Sequence, residues 1–221
     1  MTKTNQQKVK DFLINNGVII VMFILVIYTG FTSDNFFTKN NFMNILMNMS
    51  SRLVIALGIA GCVITAGCDL SAGRMIGFGA CISGMLLQRM DYSGKFFPDM
   101  QPLNVFVVAL IAMLVCAAFG TVTGFFIAYL NVPPFIATLA MMEIVYGIGL
   151  IVTNATPLGG YVEQYTNVSN GKFLGINYLI WIAIIVAAIT WFIFNMTRHG
   201  KYMYAIGGNP QAAEAVSYTH L

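Results

Sequence analysis

The chain has 221 residues, of which 58% are hydrophobic and only 9% are charged. An ordinary soluble domain carries about 25% charged residues. The 11 Lys plus Arg and 8 Asp plus Glu are too few to cover the exterior of a soluble globule of this size, so the composition predicts a membrane protein. The net charge of +3 forms no basic stripe, and nucleic acid is not an expected partner.

Six segments of the chain are apolar enough to cross a membrane, which takes about 20 residues for roughly 30 Å of hydrocarbon. The predicted fold class is therefore all-α, a polytopic transmembrane helix bundle of about six spans. A short amphipathic helix is predicted to lie at the membrane interface between Phe42 and Ser51. In chain order, the spans are predicted at residues 17–32, 51–66, 70–88, 103–130, 134–152 and 178–196.

The third predicted span contains four glycines: Gly73, Gly77, Gly79 and Gly84. This density weakens a helix in water, but in lipid it permits close helix contact or a broken helix. A broken or re-entrant segment is therefore predicted near residues 67–77. In the fourth span, Gly120 to Gly124 form a small-xxx-small face. Pro133 and Pro134 are expected to end the fourth span and begin the fifth.

Six crossings place both chain ends on one side of the membrane. Cytoplasmic segments carry an excess of Lys and Arg, and basic residues cluster at both ends of this chain. Other basic residues fall on the opposite side, so the orientation depends on these two clusters. We expect a cytoplasmic N-terminal segment at residues 1–16, a transmembrane region at residues 17–196 and a cytoplasmic segment after it. The terminal clusters are Lys3, Lys8, Lys10, Arg198 and Lys201.

No arrangement of residues in the sequence predicts catalysis. The Gly-Lys pairs lack the flanking residues of a P-loop. His199 and His220 have no Cys or carboxylate at metal-ligand spacing. The chain is therefore predicted not to be an enzyme and to hold no metal or cofactor. The cysteines are interpreted as small buried hydrophobic residues; they are Cys62, Cys68, Cys81 and Cys116.

Two carboxylates in the predicted membrane region are the most informative polar groups, because a lone charge in hydrocarbon is costly. Asp69 is expected to pair with Arg74 or to face water. It is alternatively a cap for the amides of Ser71 or Ala72, or a direct contact for a substrate. Glu143 lies in the middle of the fifth span. It is expected to face a bundle interior or a cavity, either on a solute pathway or bonded to a neighbouring helix.

Two hydroxyl groups extend this polar set. Thr138 and Tyr146 lie at helical spacing near one face of the fifth span. Their hydroxyls suit a polar solute, although Ser and Thr also join membrane helices to one another. The predicted substrate path consists of Asp69, Ser71, Arg74, Thr138, Glu143 and Tyr146.

Three sequence blocks occur in order along the chain. They are Gly67-Cys-Asp-Leu-Ser-Ala-Gly73, Asn131-Val-Pro-Pro-Phe-Ile-Ala-Thr-Leu139, and a run from Thr197 that includes Ala205-Ile-Gly-Gly-Asn-Pro-Gln-Ala-Ala213. Together they resemble the motifs of the permease subunits of ribose/galactose-type ABC sugar importers. The resemblance covers residues 16–216, and details such as Met90-Asp91 look most like the galactose/methyl-galactoside branch.

The resemblance implies a permease subunit that translocates a monosaccharide across the bacterial cytoplasmic (inner) membrane. The implied partners are a second permease copy, a cytoplasmic ABC ATPase and a periplasmic or extracellular sugar-binding protein. Residues 197–216 would form an ATPase-coupling segment, for which a plain helix-capping loop is the alternative. Asn209-Pro210 is expected to start a short helix that ends near Glu214. The implied coupling residues are Arg198, Ala205, Gly207, Gly208, Asn209, Ala212 and Ala213.

Two features depart from the family pattern. His199 stands where Phe or Tyr is usual, and the chain reads Ser217-Tyr-Thr-His-Leu221 where the family continues with further spans. We therefore expect residues 217–221 to be a non-native tail on the N-terminal part of a larger permease. Two other functions remain open. One is a secondary carrier or channel with ion or proton sites at Asp69 and Glu143; the other is a truncated fragment that does not transport.

Overall fold

A computed structural model describes residues 13–215 of the chain. Most of the expected N-terminal segment and the whole of the expected tail at residues 217–221 lie outside these described residues. The chain divides into two compact units, Met1–Asn48 and Met49–Leu221. A short hairpin pairs β1 (Lys172–Phe173) with β2 (Ile176–Asn177) in antiparallel orientation. The helices are α1 (Gly17–Thr32), α2 (Lys39–Ile64), α3 (Ala72–Leu86), α4 (Val105–Leu130), α5 (Pro134–Val152), α6 (Glu163–Asn170), α7 (Tyr178–Met196), α8 (Arg198–Gly208) and α9 (Pro210–Ala215).

The first unit contains α1 and the polar turn that follows it. The helix is apolar along its length and has no buried residue. Asn41 closes the turn, because its Nδ2 donates to the Phe36 carbonyl at 2.8 Å. The backbone N–H of Asn41 donates to Thr38 Oγ1 at 3.3 Å, so Thr38 caps the beginning of α2.

The helix α2 runs from Lys39 to Ile64 without a break, so the prediction of a separate interfacial helix between Phe42 and Ser51 is wrong. No Gly or Pro occurs between residues 39 and 57 to end the helix. Its 26 residues measure about 39 Å at ~1.5 Å per residue. This exceeds roughly 30 Å of hydrocarbon, so the polar first turns can extend out of the apolar layer without a change of direction.

The predicted spans all form helices, which confirms an all-α membrane bundle. Within residues 13–215, four helices are long and apolar enough to cross a membrane: α2, α4, α5 and α7. The apolar helices α1 and α3 are shorter, with 16 and 15 residues. At ~1.5 Å per residue, α3 measures only about 22 Å. It follows a non-helical stretch at residues 65–71, which we call the break. This stretch overlaps only the beginning of the segment predicted near residues 67–77, because residues 72–77, with Gly73 and Gly77, are helical.

The packed core of the second unit lies between α3, α4 and α5. In it, the rings of Phe78 on α3 and Phe119 on α4 meet edge to face, with centroids 5.7 Å apart. This geometry fixes α3 against α4, while two side chains of α5 fill the third side. The buried cluster consists of Phe78, Ile82, Ala112, Met141 and Val145.

The turn between α4 and α5 follows from its sequence. Asn131 ends α4 in the left-handed conformation, at φ 52°, which Asn adopts more readily than most residues. Pro134 takes the first position of α5, where its fixed φ suits a helix and no N–H is needed. The chain therefore passes from α4 to α5 within residues 131–133, as the Pro-Pro pair predicted.

Two loops at the far end of this core are tied together by Gln88, which is only 1% exposed. Its Nε2 donates to the Gly159 carbonyl at 3.0 Å, and its Oε1 accepts from the Phe96 N–H at 2.7 Å. We call this pair of bonds the Gln88 clasp. It joins the α3–α4 loop to the α5–α6 loop. Two backbone hydrogen bonds reinforce the clasp. The Arg89 N–H donates to the Gly160 carbonyl, and the Val162 N–H donates to the Leu87 carbonyl.

Two tyrosines complete the packing between these loops. Gly160 has φ +69°, and a Cβ there would overlap the ring of Tyr92. Only glycine therefore fits at this position. Burial raises the pKa of the Tyr161 phenol above its ordinary value, so the hydroxyl stays protonated. It donates to the Leu158 carbonyl at 2.8 Å.

Candidate functional site

A carboxylate stabilises the break before α3, at residues 65–71. Ala66 adopts a left-handed φ of 59°, and the Gly67 N–H donates back to the Cys62 carbonyl at 2.8 Å to close the end of α2. Asp69 Oδ1 then accepts from the Ser71 N–H at 2.9 Å and from its hydroxyl at 2.6 Å. Of the roles expected for Asp69, the structure shows the capping contact with Ser71.

Thr138 joins the break to α5. Its side chain is 3% exposed, and Oγ1 lies 2.7 Å from the Pro134 carbonyl and 3.2 Å from the Cys68 carbonyl. The single hydroxyl proton is shared between its own helix and the break. Thr138 therefore holds the backbone of the break against the first turn of α5.

A cleft of about 280 Å³ opens beside the break, and we call it the break cleft. Asp69, Ser71 and Thr138 from the predicted path lie on it together. Two further hydroxyls, which the sequence reading missed, are those of Thr65 and Thr123. Each donates to the carbonyl four residues earlier in the chain and still offers oxygen lone pairs to the cleft. The remaining lining residues are Cys62, Gly67, Cys68, Gly120, Gly124, Ile127 and Pro134.

Two expectations about small residues are corrected at this cleft. Cys62 and Cys68 are exposed on its wall, and they are not buried hydrophobic residues. Gly120 and Gly124 line open space, because a Cβ at either position would meet nothing within 4 Å. Within the described part of the chain, the small-xxx-small pattern therefore makes room for the cleft and brings no second helix against α4.

A second cleft, of about 170 Å³, lies beside α3 and α5, and we call it the Arg74 cleft. The guanidinium of Arg74 lies over the ring of Tyr146, 4.0 Å from its centroid. Among residues 13–215 no ion pair joins Arg74 to Asp69, so the expected pairing of these two residues is wrong. The aromatic ring on the neighbouring helix is the partner instead.

Glu143 is not brought to either cleft. It lies on α5 between Met141 and Val145, whose side chains enter the core, and its own side chain is exposed. The expectation that it faces the interior of the bundle is not met within the described part of the chain. The reason is the helical period, which turns residue 143 away from a face that carries residues 138, 141 and 145.

The segment after α7 forms two short helices. Thr197 caps α8 by accepting from the Gly200 N–H at 3.4 Å. Asn209 separates α8 from α9, and its Oδ1 accepts from the Ala212 N–H at 3.1 Å. The helix α9 begins at Pro210 and ends at Ala215, which confirms the short helix expected from Asn209-Pro210.

The residues expected to couple to an ATPase fall on two sides of this segment. Ala213 is buried at 2% exposure and Gly207 is half-buried, and a Cβ at Gly207 would overlap the carbonyl oxygen of Ile64 on α2. Gly208, in contrast, is exposed, and a Cβ there would meet nothing within 4 Å. Ala205 is half-buried as well. The other exposed members of the set are Arg198, Asn209 and Ala212.

Comparison with known proteins identifies the family. Residues 41–219 match the family described as "Branched-chain amino acid transport system / permease component". The chain belongs to this permease family.

Individual permeases match over nearly the whole chain. The sequence is 39% identical to the galactose/methyl galactoside import permease of Escherichia coli strain K12 and 40% identical to that of Haemophilus influenzae strain Rd, each over 97% of the chain. It is 31% identical to the ribose import permease of E. coli K12 over 92% of the chain. These matches cover 66%, 66% and 61% of the relatives, so the chain spans about two thirds of their length. No solved structure matches.

Within this permease, the sequence blocks noted above come together. The hydroxyl of Thr138, in the second block, lies 3.2 Å from the carbonyl oxygen of Cys68, in the first block. Gly207, from the third, packs on the carbonyl of Ile64 at the end of α2. The blocks are far apart in sequence, yet each touches the break or the helix that leads into it. The break is therefore the structural centre of the motifs.

Proposed function

We propose that this chain forms part of the membrane permease of an ATP-driven importer that carries a monosaccharide across a bacterial inner membrane. The observation that supports this function best is the break cleft, a mainly apolar opening on which a carboxylate and several hydroxyls lie together. A sugar presents hydroxyls that both donate and accept, and the cleft offers a carboxylate and several hydroxyls to meet them. The relatives named as galactose and ribose import permeases support the same substrate class.

The proposed path runs through both clefts. At the break cleft, Asp69 uses Oδ1 to hold Ser71, which leaves Oδ2 for a sugar hydroxyl. At the Arg74 cleft, the ring of Tyr146 and the guanidinium above it provide an apolar face and a set of donors. Glu143 belongs to this path only if a neighbouring subunit covers its side of α5. A second copy of the permease is the partner that we propose there.

The proposed orientation places the break at the cytoplasmic side. The end of α2, the beginning of α5 and the helix α8 lie at one end of the second unit, since Thr138 contacts Cys68 and Gly207 contacts Ile64. The basic residues Arg198 and Lys201 belong to this end, in agreement with the excess of positive charge in cytoplasmic segments. The ATPase would then meet α8 and α9. The sugar-binding protein would meet the loops joined by the Gln88 clasp.

Uptake in reconstituted vesicles tests the proposal. The permease is reconstituted with its ATPase and sugar-binding protein, and radiolabelled galactose and ribose are supplied. We expect uptake that requires ATP and the binding protein. Uptake driven by a proton or sodium gradient alone would instead support a secondary carrier. No uptake under any condition, from a correctly inserted chain, would support the non-transporting fragment.

The coupling assignment has its own test. Gly208→Trp adds a large side chain at an exposed position of α8, and we expect it to abolish copurification of the ATPase. Gly58→Trp is the matched control, because Gly58 is also exposed with nothing within 4 Å of an added Cβ but lies on α2. Retention of the ATPase by the Gly208 variant would show that α8 is not the binding segment.

A further inference from the structure

Two adjacent glycines at the end of α8 have opposite surroundings. The Cα of Gly207 packs so closely on the backbone of α2 that a Cβ would overlap the Ile64 carbonyl oxygen. One residue later, a Cβ at Gly208 would meet nothing within 4 Å. A second contact supports the first, since a Cβ at Gly61 would lie 3.1 Å from Met203 Cε. The inner side of α8 is therefore seated on the last two turns of α2.

The contact lies directly before the break. Ile64 is the last residue of α2, and the next residue, Thr65, already lines the break cleft. Any displacement of the end of α2 therefore moves the wall of the cleft without passing through an intervening helix. The partner atom is a backbone carbonyl, which cannot rotate away as a side chain can.

We propose that the contact of Gly207 with Ile64 is the mechanical link between α8 and the break cleft, and that Gly208 is the outward glycine that faces the ATPase. The role of the ATPase depends on the proposed function, whereas the link between α8 and the cleft does not. In this arrangement, a shift of α8 is transmitted to residues 65–69 through backbone contact. Gly207 is a positioning residue, because it touches neither the solute nor ATP.

The pair Gly207→Ala and Gly208→Ala tests the link with matched variants. Both add one methyl group at neighbouring positions near the end of the same helix, so their effects on helix propensity are similar. Only Gly207→Ala adds its methyl group where a backbone atom, the Ile64 carbonyl oxygen, already lies. A difference between the two variants therefore reports the contact with α2 and not the loss of glycine.

Cys68 serves as the reporter, because it is exposed in the break. The other cysteines are replaced by Cys62→Ser, Cys81→Ala and Cys116→Ala in the full chain in membrane vesicles. Alkylation of Cys68 by a hydrophilic maleimide is then timed without ATPase or sugar. We expect Gly207→Ala to change the rate about threefold or more, since labelling follows local exposure, and Gly208→Ala to leave it unchanged. Equal rates in the two variants would overturn the proposal.

A milder perturbation tests the same contact if the Gly207→Ala variant does not insert into the membrane. Gly61→Ala presses a methyl group against the flexible end of Met203, and Met203→Ala removes that neighbour. We expect Gly61→Ala to alter Cys68 labelling and the double variant to restore it. If the double variant does not restore labelling, the α2–α8 contact does not control the break.

These experiments distinguish failure of the proposed function from failure of the proposed link between α8 and the break cleft. If Gly208→Trp still binds the ATPase, the coupling assignment fails while the Cys68 labelling can still show the link. If the labelling is unchanged by Gly207→Ala but Gly208→Trp releases the ATPase, the link fails and the coupling assignment remains. When both hold, Gly207→Ala should retain ATPase binding and lose ATP-dependent uptake.

Discussion

The Gln88 clasp gives the sharpest prediction, because one buried side chain joins two loops that are distant in sequence. Gln88→Leu keeps a side chain of similar size and removes both polar groups. The Phe96 N–H and the Gly159 carbonyl, now 2.7 and 3.0 Å from their partner atoms, would lose those partners. The backbone hydrogen bonds beside residue 88 remain, so the fold of the helices should persist.

The expected loss of local stability follows from the two backbone groups that lose their hydrogen-bond partners. A buried donor or acceptor left without a partner costs about 1–3 kcal/mol. These loops lie at the end of the bundle, where water can reach a loosened backbone, so we take the lower part of that range for each group. The two together give about 2–3 kcal/mol. That free energy corresponds to a roughly 30- to 150-fold increase in local opening of the loops.

Hydrogen exchange measured by mass spectrometry in lipid nanodiscs checks this value. Peptides from residues 89–103 and 153–162 should exchange faster in Gln88→Leu by about that factor, since exchange follows local opening. Peptides from α4 and α5 should be unchanged. Gln101→Leu is the control, because Gln101 is in the same loop and exposed. Equal protection of the two loops in wild type and Gln88→Leu would refute the role of the clasp.

Three further predictions concern the break cleft. Gly124→Leu places a side chain in a cleft of about 280 Å³ and should lower galactose uptake at least about tenfold, whereas Gly58→Leu, on open space outside both clefts, should not. Thr138→Val removes the donor to the Cys68 carbonyl and should cost about 0.5–1.5 kcal/mol, measured by thermal unfolding, while Thr138→Ser should not. Asp69→Ala should cost about 0.5–1.5 kcal/mol through loss of its hydrogen bonds to Ser71. Asp69→Asn keeps the acceptor for Ser71, and its amide can donate to a sugar hydroxyl in place of Oδ2, so it should retain both stability and uptake.

Each of these predictions has an outcome that contradicts it. Equal loss of uptake in the two leucine variants would mean that bulk anywhere in the bundle blocks transport. Equal unfolding temperatures for Thr138→Val and wild type would show that the hydroxyl does not hold the break. Complete loss of uptake in Asp69→Asn, with normal stability, would show that the charge of this residue is needed. That last result would support an ion-coupled carrier.

The sequence predicted those features that depend on neighbouring residues. The helix break, the Asp69 cap and the start of α9 at Pro210 each involve groups a few residues apart, so their chemistry is visible in the sequence. The turn at Asn131 is of the same kind. Glycine, proline and short polar side chains constrain the local backbone directly.

Features that depend on tertiary partners were not predictable in this way. Nothing near Arg74 in sequence indicates that its guanidinium will lie on Tyr146, and Asp69 was the nearer opposite charge. Gln88 is an ordinary polar residue until the α5–α6 loop is placed against it. Glu143 shows the converse, because its place in an apolar run indicated burial while the helical period turned it outward.

The hydrogen bonds of Asp69 bear on where the energy for transport enters the permease. Both hydrogen bonds from Ser71 go to one carboxylate oxygen, and they place the Asp69 side chain directly before the beginning of α3. An ion-coupled carrier needs a carboxylate that gains and loses its ion during each cycle, and one oxygen of Asp69 is already held by Ser71. Glu143, the other candidate, is not among the residues that line either cleft. The carboxylates are therefore better suited to hold the path than to drive it. The contact of Gly207 with Ile64, which directly precedes Thr65 of the cleft, is the better place for energy to enter, because force applied to α8 reaches the break through a backbone contact.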